Sequence, residues 1–92
     1  MTKIFVVNSE HKADVKAFEV NSEYKADLLY YEVNSEYKAK DDGLWYFVNS
    51  EHKATTKLYW VNSEHKADLK VYKVNSEHKA KWNKSHNLRN RL

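Results

Sequence analysis

The chain contains no cysteine and no proline, one glycine and one methionine among its 92 residues. Without cysteine there is no disulfide framework, no thiolate nucleophile and no thiolate metal site. Without proline, and with Gly43 alone, reversals of direction fall mainly to Asn, Ser and Asp. Long apolar runs are missing as well. Near the start the longest is Ile4-Phe5-Val6-Val7, far short of a signal-peptide core or a membrane span. These absences lead us to expect a cytoplasmic domain with no membrane segment.

What is present fits one small domain with a thin core. Apolar residues make up 41 % of the chain and the mean hydropathy is −0.92, so much of the buried bulk must come from the 14 % that is aromatic. Each such ring encloses about 150–250 Å². The net charge of +3 conceals a division. Up to His78 the chain carries 13 acidic residues against 11 lysines, whereas the rest carries Lys79, Lys81, Lys84, Arg89 and Arg91 with no acidic residue.

A repeat organises the body. The heptapeptide Val-Asn-Ser-Glu-[His/Tyr]-Lys-Ala begins at Val7, Val20, Val33, Val48, Val61 and Val74, spaced by 13 residues except for 15 between the third and fourth copies. The two extra residues coincide with Asp42-Gly43, a turn-type dipeptide. We expect a six-repeat β domain over residues 1–82, with a turn or hinge at 42–43 and a basic C-terminal tail over 83–92.

With Lys3 as position one, position three is always aromatic (Phe5, Phe18, Tyr31, Tyr46, Tyr59, Tyr72) and position five is always valine. A spacing of two puts both on one face of a strand, and ring and β-branched side chains suit a pleated surface. Positions three and five are therefore expected inside, with Glu at eight and Lys at ten outside. Because 13 is odd, strict alternation would send successive rings to opposite faces, so each unit needs a turn or bulge. The Asn-Ser pair is the preferred place for it. A helical turn over the polar stretch is the competing reading. The expected fold class is all-β: six 13-residue units in one compact β-rich domain.

The pattern aromatic-x-Val-Asn-Ser-Glu-[His/Tyr]-Lys-Ala-Asp, the stretch Asp42-Gly43-Leu44-Trp45-Tyr46-Phe47-Val48 and the ending from Ala80 to Leu88 resemble the Septknot family of small bacterial proteins. The resemblance covers nearly the whole chain. It implies a compact β-rich domain wound into a seven-crossing torus knot, and no established activity.

Candidate chemistry is sparse. Ser, Glu and His adjoin in four copies, as in Ser9-Glu10-His11, but a nucleophile and its base must meet in space with an orienting group, and these residues recur as building units. His11, His52, His65 and His78 occupy equivalent places, which Tyr24 and Tyr37 fill in the other two copies, so a polar-edged ring suits the position better than a zinc ligand. We assign no catalytic residue, no metal ligand and no cofactor. Position four varies, and its rings Phe47 and Trp60 are the candidate patch for a protein partner. The tail residues Lys79, Lys81, Lys84, Arg89 and Arg91, with Trp82 and His86 between, are the candidate contact for a polyanion or nucleic acid. Self-docking on the acidic body is the favoured reading of that tail. The expected function is a structural or protein-interaction role for a monomeric, non-enzymatic domain, with weak polyanion binding as the alternative. Far-ultraviolet circular dichroism should show β structure with little helix; a dominant helical double minimum would contradict the fold class.

Overall fold

The computed structural model describes residues 2–88 and 92. It is all-β. Strands β1 (Thr2–Val6), β2 (Val15–Glu19), β3 (Leu28–Glu32), β4 (Leu44–Phe47), β5 (Thr56–Trp60) and β6 (Leu69–Lys73) correspond to the six units, and β7 (Lys81–Trp82) follows. The first six close into a parallel barrel in the order β1-β5-β2-β6-β3-β4, with β4 returning to β1. Strand β7 adds antiparallel to the start of β3.

This order interleaves the two halves of the chain. Every barrel neighbour of β1, β2 or β3 is β4, β5 or β6, so each half supplies alternate staves. Each pairing is also shifted by two residues relative to the last. Ile4 faces Thr56, Leu58 faces Val15, Ala17 faces Leu69 and Val71 faces Leu28, until Glu32 faces Trp45 and Trp45 faces Thr2. A uniform stagger of this kind is what lets tilted strands close on themselves.

Parallel strands need a crossover, and here it is short. In the first connection the chain bends at Asn8, runs extended through Ser9 and makes a single 3-10 turn over Glu10–Lys12. That turn is closed by the Ala13 amide donating to the Glu10 carbonyl at 3.2 Å. All six copies repeat it. The competing helical-turn reading therefore describes the connection, with Asn as a bend before it. At the end of the connection the Asp14 amide donates to the Lys57 carbonyl at 2.8 Å, while the Lys57 amide donates to Asp14 Oδ2 at 2.9 Å. Asp27 clamps Lys70 in the same way and Asp68 clamps Lys16. The carboxylate thus ties the start of one strand to a strand of the other half.

The inward face differs from the one expected. Ile4, Ala17, Tyr30, Trp45, Leu58 and Val71, all at position two, lie in the barrel interior with Val15, Leu28 and Leu69. The position-three rings face outward and are only partly buried. They pack with position-five valines and position-eleven alanines: Phe18, Tyr31 and Tyr72 join Val20, Val74 and Ala26, and Tyr46 joins Val33 and Ala39. Their constancy reflects a crossover that lays the same residues over each ring. Interior positions vary because six side chains of different size must jointly fill one space.

Gly43 makes the step between the halves. Its φ of +87° favours glycine, and a Cβ there would stand 2.9 Å from the Leu29 carbonyl oxygen. Gly43→Ala should therefore destabilise by on the order of 1–3 kcal/mol. Leu58→Ala should cost about 2–5 kcal/mol, more than Tyr59→Ala beside it, and Lys66→Ala within about 0.5 kcal/mol. Denaturant unfolding of the four variants checks this; a larger loss at Tyr59 than at Leu58 would reverse the assignment of the inward face.

Candidate functional site

Two ends of the barrel can meet other molecules, and the sequence closes one of them. At the N-terminal ends of the parallel strands, Leu88, Leu92 and Trp82 pack against the interior cluster. The Leu92 oxygen accepts from Trp45 Nε1 at 2.8 Å and from the Gly43 amide at 2.7 Å. Asn83 Nδ2 donates to the Glu23 and Ala26 carbonyls, and Trp82 Nε1 donates to Asp42 Oδ2 at 2.6 Å. His86 stacks on Trp82 with ring centroids 5.4 Å apart; its Nδ1 accepts from the Leu88 amide, so Nε2–H donates to the Asp68 carbonyl at 3.0 Å. Trp82 and His86 are thereby engaged within the fold, and Lys84 lies 4.0 Å from Asp27. Lys79 and Lys81 are exposed, whereas Arg89 and Arg91 lie outside the described residues.

The C-terminal ends of the strands form the open rim. Position four points inward there, and the two-residue stagger places each such residue diagonally beside the next around the ring: Val6, Trp60, Glu19, Lys73, Glu32, Phe47. One arc is apolar, Phe47-Val6-Trp60. The other is charged, with Lys73 Nζ 3.2 Å from Glu32 Oε1. Phe47 and Trp60 are half-buried against the interior cluster, so they cap the core at this end, while Val6 is 41 % exposed. Beneath the rim Tyr30 stacks on Trp45 with centroids 4.3 Å apart, and Phe47 meets Trp45 edge-on at 6.2 Å. The charged arc and Val6 were visible in the sequence only as variation at position four; nothing short of the register shows that they form a ring.

Tyr30 records the electrostatics of this end. Burial, and then the negative charges of Glu19 and Glu32, push its phenol from the ordinary 10 up to about 12.

The other sequence candidates do not assemble. The Ser-Glu-His triplets sit on separate turns, with every position-nine side chain exposed; Tyr24 and Tyr37 are 78 % and 71 % exposed. The polar-edged rings expected at position nine for packing or edge hydrogen bonding are exposed and make no side-chain hydrogen bond among the described residues. Among the described residues no three His, Asp or Glu side chains gather as a metal site. No helix there is long and apolar enough to cross a membrane.

A closed, six-stranded parallel barrel whose staves alternate between the two halves of an internally repeated chain is the class of protein described here. Residues 1–83 match the Septknot family, described as a 7(1) septoil knot domain, and the chain belongs to that family. No curated protein and no solved structure matches it.

The Tyr30 phenol is raised in the folded state, so its contribution is fully present below pH 10 and is lost as pH rises towards 12. Relative to Tyr30→Phe, the parent should lose about 2–3 kcal/mol over that interval. Absorbance titration at 295 nm should show one late tyrosine that disappears in the variant; seven tyrosines titrating together would refute the assignment.

Proposed function

We propose that the chain is a non-enzymatic structural or protein-interaction domain whose contact surface is the apolar arc Phe47-Val6-Trp60 at the C-terminal rim. The observation that carries the reading is the continuity of that arc around one end of the barrel, beside a charged arc able to orient a partner. In (β/α)8 barrels the corresponding end of the parallel strands carries the binding groups, and barrel mouths in general are favoured binding places. Catalysis is disfavoured because the Ser-Glu-His triplets stand apart on exposed turns.

The reading includes the septoil knot of the family, a bacterial origin, a cytoplasmic location and a monomer. Support for the knot comes from the strand order. Successive strands of each half step over one strand of the other half, so the chain circles the barrel twice and the second circuit lies between the staves of the first.

Polyanion contact through Lys79, Lys81, Lys84, Arg89 and Arg91 is the weaker alternative. Trp82 and His86 stack on each other and are hydrogen-bonded to the barrel, which removes them as free stacking surfaces for bases.

Phe47→Ser with Trp60→Ser should abolish capture of a protein partner from a lysate of the source organism, with the circular dichroism spectrum retained. Equal capture by parent and double variant would move the contact surface elsewhere. Titration with labelled single-stranded and duplex oligonucleotides at low salt should show no binding; micromolar binding that vanishes in Lys84→Ala/Arg89→Ala/Arg91→Ala would favour the tail. Without such binding, the triple variant should instead unfold at lower temperature.

A further inference from the structure

Constancy in this chain falls in the unexpected place. Interior position two holds six different residues, whereas the exposed Asn of position six and Lys of position ten are the same in all six units. Fold stability does not require this of the lysines, since exposed side chains away from special features change stability by only about 0.5 kcal/mol when replaced, and the bend at position six is open to Ser, Asp and Gly as well as Asn. Nor do internal contacts. Among the described residues Asn34 alone of the six asparagines makes a side-chain hydrogen bond, accepting from Lys38 at 3.3 Å, and none of the position-ten lysines forms an ion pair. Duplication alone would have left the interior residues alike as well.

The fold converts these residues into a repeated groove. Tyr59, Trp60, Val61, Asn62 and Lys66 line one together with Glu10, which arrives on a turn from the other half of the chain. Phe5, Asn8 and Lys12 line another with Glu51, and further grooves of the same make begin at Phe18 and Tyr46. In each a carboxylate comes from the opposite half. Strand lysines hold it in place: Lys16 lies 3.8 Å from Glu10 and Lys57 lies 3.7 Å from Glu51.

The wall is thus an aromatic ring, with an amide, an ammonium and a carboxylate around it. A ring face accepts the C–H face of a pyranose, and hydroxyls both donate and accept. They are met by a carboxylate that only accepts, an ammonium that only donates and an amide that does both. In three of the four grooves one lysine is balanced by one glutamate, which suits a ligand without charge. The grooves are open and shallow, so one sugar binds weakly. Several at fixed positions on a body of 33 × 30 × 21 Å make a polymer the effective ligand, through raised local concentration. We infer that the repeated grooves are equivalent subsites for hexose units of a neutral polysaccharide, a site that adjoins the proposed protein contact and shares Val6, Phe47 and Trp60 with it.

Affinity electrophoresis of the full chain through native gels containing dextran, mannan or galactan tests this. Retardation is expected in at least one gel and should be reversed by millimolar free hexose. Asn8→Ala, Asn49→Ala and Asn62→Ala should each weaken retention about two- to fivefold, and together more than about tenfold, because avidity falls with every subsite lost. Circular dichroism should be unchanged throughout. Absence of retardation in all three gels, retention unaffected by the triple substitution, or retention confined to gels containing dextran sulfate would each overturn the inference. The last would assign the lysines to a polyanion.

Discussion

The pairing of every stave with staves from the other half is the constraint on which the rest depends. A β-strand must satisfy its backbone donors and acceptors on both sides, and here β1 and β2 find those partners only in β4, β5 and β6, while β3 finds them in β4, β6 and the short β7. The aspartates at the strand starts make the same demand in side-chain form. Lys57 is tied to Asp14, 43 residues away, and Lys16 to Asp68, 52 residues away. The crossovers can be short because each needs only to step over one foreign strand, and one 3-10 turn is enough.

That constraint also explains the distribution of residue types. Outward rings meet the same valine and alanine of the repeated turn and are therefore always aromatic. The rim and the interior are each a single shared space, so their contributors vary and complement one another. The stacked pair of Tyr30 and Trp45, with Phe47 edge-on, lies where the third and fourth units join, the place at which the repeat is broken by Asp42-Gly43. The bulkiest interior group thus fills the seam between the two circuits.

The sequence displayed the unit length, the β character, the break at 42–43 and the family. It did not display the inward face. The constancy of Phe5, Tyr59 and their equivalents suggested core, because constancy and apolarity usually travel together. In a closed repeat barrel the two separate, and Leu58 or Ala17, which look arbitrary along the chain, are the enclosed residues. The rim was legible only in part. Phe47 and Trp60 stood out as rings at a variable position, but their alliance with Val6, and the opposing Glu19, Lys73 and Glu32, exist only once the stagger of the strands is known. The tail's closure of the other end was suggested by charge. It is achieved mainly by Leu88, Leu92, Trp82 and Asn83, through packing and backbone carbonyls that no charge count displays.

Interleaving has a consequence for how the chain is made. On a ribosome the first three strands emerge before any of their barrel partners has left the exit tunnel, and the earliest pairing available to them is the brief contact of Tyr31 and Glu32 with Leu44 and Trp45. β1 meets its second neighbour only when Thr56–Trp60 has left the exit tunnel, and β2 must wait for Leu69–Lys73. Distant pairings of this kind fold slowly and leave strand edges open meanwhile. Residues such as Glu19, Glu32 and the strand lysines, which place charge on those open edges, then act as guards against association of nascent chains.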